Sequence, residues 1–209
     1  MSVGPVGAVG AGSVSPERTP VSVASLRQAI GRAYQRVTGQ APSATLLQSL
    51  TAQASLETGA GSSMYNYNFG GVKGAGPGGL SANCLTHEVV NGEDVTVRQK
   101  FRAYGSLDEG AEDYVRVLVQ RFGHALPSAA GGNLDGFAHA LKQAGYYTAS
   151  EGDYAAALKG ASAAAGSVAS TDVLPVPSSS GFANSVDVTR LFDALSASAL
   201  RIADPSSRE

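Results

Sequence analysis

The chain has 209 residues, enough for one domain of ordinary size with tails, and 15% of its residues are charged, with a formal net charge of -2. The lack of any block of lysine and arginine residues argues against nucleic-acid binding through phosphate contacts. No stretch approaches the roughly 18 consecutive apolar residues of a membrane-spanning helix, so we expect no membrane span.

Residues 1–22 consist mainly of glycine, proline, serine and valine in no regular period, and we interpret them as a flexible arm. Residues 1–15 contain no lysine or arginine and are interrupted by glycines and a proline. They therefore lack the charged and apolar regions of a secretory signal. The sequence predicts no classical signal peptide and leaves the export route open.

Two amphipathic helices are predicted next. The apolar stripe of the first, over residues 25–37, consists of Leu26, Ile30, Ala33 and Val37. Residues 39–42 include a glycine and a proline and break this pattern. Ser43 is a candidate N-cap for the second helix. The stripe of that helix consists of Leu46, Leu47, Leu50 and Ala54, extended by Gln53 and Glu57.

Glu57 is the one carboxylate that this periodicity directs toward a core. Gly59 and Gly61 follow it and are expected to end the helix, because glycine accepts left-handed backbone angles. Apolar surroundings disfavour the charged form of a carboxylate and raise its pKa. Glu57 is therefore a candidate general acid, and the alternative is a glutamate that turns to solvent at the helix end.

A loop rich in glycine and aromatic residues leads into a predicted β-hairpin over residues 84–104. Residues 74–79 lack the Lys-Ser/Thr ending of a phosphate-binding loop and are interpreted as flexible. Asn91-Gly92 is a strong hairpin-turn signal between two alternating runs. Glu88, on the first arm, is either a functional carboxylate or an exposed strand residue. Cys84 is the only cysteine, so no internal disulfide can form, and a small buried hydrophobic role is favoured over a nucleophile.

Helical patterns cover residues 107–122, 133–144 and 153–163. Several helices around a single hairpin predict an α+β domain, mostly α, over residues 23–163. Residues 164–186 are rich in serine and proline and are interpreted as a linker. Residues 187–209 form a predicted amphipathic helix and tail, which either docks on the domain or binds a protein partner.

Five motifs occur in order between about residues 46 and 158. They are Ala-Gln-Ala-Ser-Leu-Glu-Thr-Gly-Ala-Gly, Asn-Phe-Gly-Gly-Val-Lys, Thr-His-Glu-Val-Val-Asn-Gly, Lys-Phe-Arg-Ala-Tyr-Gly-Ser and Gln-Ala-Gly-Tyr-Tyr-Thr. Together they resemble the glucosaminidase domain of bacterial peptidoglycan hydrolases, glycoside hydrolase family 73. The resemblance implies a lysozyme-like fold, in which a helical bundle and a small β-hairpin lobe enclose a cleft for a glycan strand.

The resemblance also implies site residues: Glu57 as the general acid, Glu88 as a second, assisting carboxylate and Tyr146 as the active-site tyrosine. The substrate-binding positions expected from the cleft-floor motif and from nearby aromatic residues are Tyr67, Asn68, Phe69, Gly70, Tyr104 and Tyr147. For the aromatic residues, packing beneath the cleft is the alternative. In the floor motif a phenylalanine usually precedes the second glycine, whereas here Gly70 stands there and Phe69 is one place earlier.

The implied activity is hydrolysis of the β-1,4 bond after N-acetylglucosamine in peptidoglycan strands, in the periplasm or cell wall. One alternative is a lytic transglycosylase, which uses a single glutamate and forms an anhydro sugar. Another is a non-catalytic wall-binding or assembly module. Retention or inversion depends on the separation of the two carboxylates, which the sequence leaves open. The three histidines lack zinc-ligand spacing, so no metal and no other cofactor is predicted.

Overall fold

The computed structural model describes residues 12–90 and 93–169, without the side chains of residues 86–90, 93, 94 and 167–169. Its strands are β1 (Gly12–Val14), β2 (Leu80–Val90) and β3 (Glu93–Arg102). Its α-helices are α1 (Val23–Thr38), α2 (Ala44–Thr58), α3 (Leu107–Arg121), α4 (Leu126–Ala130), α5 (Leu134–Gln143) and α6 (Glu151–Ala169), with a short 3-10 helix at Gly123–Ala125. The predicted α+β class, mostly α, is confirmed.

The ends of α2 follow from local sequence. The Ser43 hydroxyl accepts a hydrogen bond from the Leu46 amide at 3.1 Å, as an N-cap does. Gly59 ends the helix in the left-handed region at φ 59°, and its amide donates to the Ser55 carbonyl. Both predictions for this helix are confirmed. They place Glu57 in the last turn of α2.

Helix α2 lies at the centre of the helical part of the domain. Helices α1, α4 and α6 all pack against it. It is therefore buried around most of its circumference: Leu50, Ala52, Gln53 and Ala54 are at most 1% exposed. A helix with neighbours on several sides needs small and apolar residues all round, which explains its Ala-Gln-Ala-Ser-Leu segment.

The predicted hairpin is confirmed and begins earlier than expected, at Leu80. Strand β2 pairs antiparallel with β3, and the backbone of Glu88 lies opposite that of Val95. The predicted Asn91-Gly92 turn lies outside the described residues. Strand β1 extends the sheet by pairing parallel with β2, so that Gly12 lies opposite Leu80.

Residues 12–22 differ from the flexible arm predicted for residues 1–22. Beyond β1, the Thr19 amide donates to the Met64 carbonyl at 3.0 Å, and the Val21 amide donates to the Gly61 carbonyl at 3.1 Å. The Asn66 side chain bonds the backbone of Ser15 and Glu17. This part of the segment therefore holds the loop that follows α2 in place. Residues 1–11 lie outside the described part of the chain.

The last described helix is longer than its sequence pattern. The predicted helix ends at residue 163, whereas α6 continues to Ala169, into the predicted linker. Alanine is the best helix former, and the alanines of this stretch extend the helix without needing an apolar stripe. The predicted helix within residues 187–209 lies outside the described residues. No described helix combines the length and hydropathy required to cross a membrane.

Candidate active site

The Glu57 carboxylate lies among hydroxyl and amide donors at the end of α2. Its Oε1 accepts a hydrogen bond from the Tyr154 hydroxyl at 3.2 Å and another from Gln53 Nε2 at 3.2 Å. The residue keeps partial solvent exposure, unlike Gln53, which is fully buried. Glu57 therefore lies at the boundary between the core and the surface.

Burial raises the pKa of Glu57 from its ordinary 4.5 to about 7. The hydrogen bonds from Tyr154 and from Gln53 act in the opposite direction, because they stabilise the carboxylate, and the loss of hydration outweighs both of them. About half of the molecules therefore hold a proton on Glu57 at neutral pH. This is the state that a general acid needs at its working pH.

The Gln53 amide connects Glu57 to two further tyrosines. Its Nε2 donates to the Tyr146 hydroxyl at 2.6 Å, and its Oε1 accepts a hydrogen bond from the Tyr114 hydroxyl. The Tyr114 hydroxyl also lies 3.0 Å from the Leu50 carbonyl. Side chains from α2, α3 and α6 and from the turn after α5 thus form one hydrogen-bonded cluster.

The phenols of this cluster remain neutral. Burial raises the pKa of Tyr114, Tyr146 and Tyr154 well above 10, and the nearby Glu57 charge raises it further. Two ring contacts fix the phenols: Phe122 meets Tyr146 edge to face at 5.0 Å, and Tyr147 stacks on Tyr154 at 3.8 Å between ring centroids. The cluster can therefore donate hydrogen bonds but contributes no second negative charge.

The cleft-floor motif approaches the same cluster. A Cβ added to Gly70 would lie 3.2 Å from the Tyr146 hydroxyl, so this glycine allows the loop to lie close to the phenol. The Asn68 side chain donates to the Val72 and Arg102 carbonyls at 3.0 Å and accepts from the Val72 amide at 3.0 Å. Asn68 thus joins the loop to the end of β3, and this role accounts for its burial.

Three aromatic residues expected to bind substrate are packed in the core, which favours the alternative of packing beneath the cleft for them. Phe69 is 1% exposed and stacks on Tyr114 at 5.7 Å between centroids. Tyr104 is buried, and its hydroxyl donates to Asp113 at 2.6 Å. Tyr147 is buried, and its hydroxyl donates to the Ala138 carbonyl at 3.0 Å. These rings already have partners on the protein and present no free face to a sugar.

Tyr67 differs from these three because it is only half-buried. Its backbone adopts a left-handed conformation at φ 53°, and its amide donates to the Thr19 hydroxyl at 2.9 Å. It stays a candidate for substrate contact. Glu88 lies in β2 of the hairpin lobe, and its side chain is outside the described structure, so its role also stays a prediction.

Sequence reasoning missed two members of the cluster. Tyr114 and Tyr154 lie in the predicted helices over residues 107–122 and 153–163, and no site role was predicted for them. Their hydroxyl groups point to Gln53 and Glu57, which are 61 and 97 residues away in the chain. A phenol on the buried face of a helix needs a hydrogen-bond partner, and this requirement could have pointed to the two tyrosines.

In residues 12–90 and 93–169, no group of three or more His, Cys, Asp or Glu side chains could hold a metal ion.

A partly exposed acid at the end of a buried central helix, in a mostly helical domain with a small sheet, defines a lysozyme-like glycoside hydrolase. Residues 33–165 match the Glucosaminidase family, described as mannosyl-glycoprotein endo-beta-N-acetylglucosaminidase, and the chain belongs to this family. The predicted enzyme class is therefore confirmed.

Similar proteins agree with this assignment. Peptidoglycan hydrolase FlgJ of Pseudomonas aeruginosa is 39% identical over 109 residues, which cover 47% of this chain and 27% of that protein. FlgJ of Escherichia coli K12 is 37% identical over 107 residues, which cover 47% of this chain and 34% of that protein. The chain therefore spans about a quarter to a third of the length of these curated relatives.

Two solved structures share the fold. A peptidoglycan hydrolase mutant from Sphingomonas sp. A1 is 28% identical with a TM-score of 0.51, covering 67% of this chain and 90% of that chain. The catalytic domain of the autolysin Auto from Listeria monocytogenes is 21% identical with a TM-score of 0.53, covering 72% of this chain and 88% of that chain. The lysozyme-like architecture that the sequence motifs implied is thus confirmed.

Proposed function

We propose that this domain hydrolyses the β-1,4 glycosidic bond after N-acetylglucosamine in peptidoglycan strands, with Glu57 as the general acid. The observation that carries the proposal is the environment of Glu57, which is partly exposed, hydrogen-bonded by Tyr154 and Gln53, and protonated near neutral pH. The relatives are named peptidoglycan hydrolases, and these names supply the substrate class. The site of action is then the periplasm or cell wall.

In the proposed reaction, the Glu57 carboxyl group donates its proton to the glycosidic oxygen. The bond between that oxygen and the anomeric carbon breaks, and the leaving sugar departs as an alcohol. Positive charge develops on the N-acetylglucosamine ring and is quenched by water, whose proton passes to a carboxylate. The product is a reducing N-acetylglucosamine end, and the enzyme regains its proton.

Two further residues have proposed roles. Glu88 is the second carboxylate, which stabilises the cationic sugar or activates water from the hairpin lobe. Tyr146, whose hydroxyl accepts a hydrogen bond from Gln53, can direct its own proton toward the sugar. Tyr67 and the Gly70 loop are the proposed substrate contacts beside them.

The test is digestion of purified sacculi, followed by mass spectrometry of the released muropeptides. We expect reducing N-acetylglucosamine ends that carry one added water per cleaved bond. The Glu57→Gln variant should lose activity by about a hundredfold or more, because it removes the transferable proton. Glu88→Gln should lose less if the hairpin lobe only assists.

The control variant is Asp135→Asn, which removes an exposed carboxylate that pairs with Lys159 on the surface. It should digest sacculi at the rate of the unmodified protein. Anhydro-sugar ends would assign the domain to the lytic transglycosylases. Binding to sacculi without any cleavage would make it a wall-binding module. Either result would refute the proposal.

A further inference from the structure

Within the cluster, the Gln53 amide hydrogen-bonds both Glu57 and Tyr146, which have proposed roles in the reaction. Its Nε2 lies 3.2 Å from Glu57 Oε1 and 2.6 Å from the Tyr146 hydroxyl. It is fully buried and so has no access to substrate. A fully buried amide needs partners for its donors and its acceptor, and the side chains that hydrogen-bond Gln53 belong to this cluster.

We propose that Gln53 is a positioning residue, which fixes the Glu57 carboxyl group and the Tyr146 hydroxyl relative to each other through the two N–H groups of one amide. The proposal rests on the proposed function, because it assigns a role beside the residues of that reaction. It adds a residue that does not contact substrate and acts through Glu57 and Tyr146.

In the structure the carbonyl side of the Gln53 amide faces Tyr114, whose hydroxyl donates to Gln53 Oε1 and also lies 3.0 Å from the Leu50 carbonyl. With the carbonyl side held in this way, both N–H groups face Glu57 and Tyr146. The reverse orientation would set the amide carbonyl against the Glu57 carboxylate, which is unfavourable whenever the carboxylate is ionised.

This orientation has a consequence for Tyr146. Because its oxygen accepts a hydrogen bond from Gln53, its own O–H bond points away from the amide. The phenol is neutral, and its hydroxyl lies next to Gly70 of the cleft-floor loop. Gln53 thereby directs the Tyr146 proton away from the amide, on the side where this loop lies.

The hydrogen bond from Gln53 lowers the pKa of Glu57. An N–H group that points at a carboxylate stabilises the ionised form and lowers the pKa. The titratable groups that face Glu57 from the surrounding elements are phenols: Tyr114 from α3, Tyr146 from the turn after α5 and Tyr154 from α6. Since all of them are neutral near pH 7, a substitution of Gln53 shifts the pKa of Glu57 through the lost hydrogen bond and not through a new charge.

The experiment compares Gln53→Met with a matched control, Gln48→Met, in the full chain. Gln48 lies on the same helix and is also hydrogen-bonded, to Arg27 and to the Ser162 carbonyl, away from Glu57. For both variants, the Glu57 carboxyl carbon is titrated by NMR and the pH dependence of sacculus digestion is measured. In Gln53→Met we expect the Glu57 midpoint and the pH at which kcat falls on the alkaline side to rise together, by about half a pH unit to one pH unit. Gln48→Met should leave both unchanged.

A second measurement needs no substitution and covers the case in which Gln53→Met does not fold. In the unmodified protein, the side-chain amide resonances of Gln53 should change with pH at the same midpoint as the Glu57 carboxyl carbon. Amide resonances that do not follow Glu57 would overturn the proposal. So would a Glu57 midpoint that falls in Gln53→Met, because this is the result expected if the amide carbonyl faced the carboxylate.

The two proposals fail in different ways. If sacculi are not cleaved but the Glu57 midpoint rises in Gln53→Met, the proposed function is wrong, but Gln53 still positions the Glu57 carboxyl group. If sacculi are cleaved but neither the midpoint nor the pH at which kcat falls moves, Gln53 has a structural role only.

Discussion

At the scale of single residues, Glu57 combines access to solvent with a pKa far above that of an ordinary glutamate. Folding raises this pKa from 4.5 to about 7, so between these two values the folded protein binds more protons at Glu57 than the unfolded chain does. Stability therefore falls as pH rises through this interval. Glu57 destabilises the fold most at pH values above 7, where the folded protein must hold it ionised.

This argument predicts that Glu57→Gln is more stable than the unmodified protein at alkaline pH. The gain in the free energy of unfolding should reach about 2–3 kcal/mol at pH 8 and shrink toward zero as pH falls to 4.5. Urea denaturation at several pH values measures it. A difference that stays constant with pH, or a loss of stability at pH 8, would contradict the raised pKa.

Residue identity alone did not decide which aromatic rings lie near the acid. Tyr146 and Tyr147 are adjacent in one motif, and both are buried. Their hydrogen bonds separate them: the Tyr146 hydroxyl bonds Gln53 beside the acid, whereas the Tyr147 hydroxyl bonds the Ala138 carbonyl. The sequence predicted the position of Glu57 because helix periodicity is a local pattern. It missed Tyr154 because the contact between Tyr154 and Glu57 joins residues that are far apart in the chain.

At the scale of elements, the loop after α2 and helix α3 approach each other closely at Gly110. A Cβ at this position would lie 2.0 Å from the Tyr67 carbonyl oxygen, far inside contact distance. Any side chain here must displace either the helix or the loop. Because Tyr67 directly precedes Asn68, this approach sets the position of the cleft-floor motif relative to α3.

We therefore expect Gly110→Ala to destabilise the protein by about 1–3 kcal/mol, the usual effect of overpacking. It should also reduce sacculus digestion, since the loop next to Tyr146 moves. Gly160→Ala is the control, because Gly160 is an exposed residue of α6 with no atom within 4 Å of the added Cβ. This control should gain about 0.5–1 kcal/mol from helix propensity, and thermal unfolding compares the pair. Equal stability of the two variants would mean that the helix and the loop are not in contact.

Local signals predicted the described α-helices except the five-residue α4, Leu126–Ala130. Ser43 and Gly59 mark both ends of α2, and the alternating runs indicated β2 and β3. Strand β1 was missed because its three residues, Gly-Ser-Val, carry no pattern of their own. It forms only because β2, which begins 68 positions after β1, offers a free edge for parallel pairing.

At the scale of the whole molecule, the fold places the acid Glu57 at the end of α2, where it meets α6. Helix α2 brings Glu57 to the end of the core, α6 brings Tyr154 against it, and the loop held by residues 12–22 brings Gly70 beside Tyr146. Each part contributes contacts with large separation in sequence. For this reason the motifs predicted the family and the acid, whereas the hydrogen-bonded cluster became visible only in the assembled fold.

The central claim is that this arrangement keeps a proton on Glu57 near neutral pH. Its most direct test is a titration of the Glu57 carboxyl carbon by NMR in the unmodified protein, with the resonance assigned by its loss in Glu57→Gln. We predict a midpoint of about 7. A midpoint near 4.5, the value of an ordinary glutamate, would contradict the account.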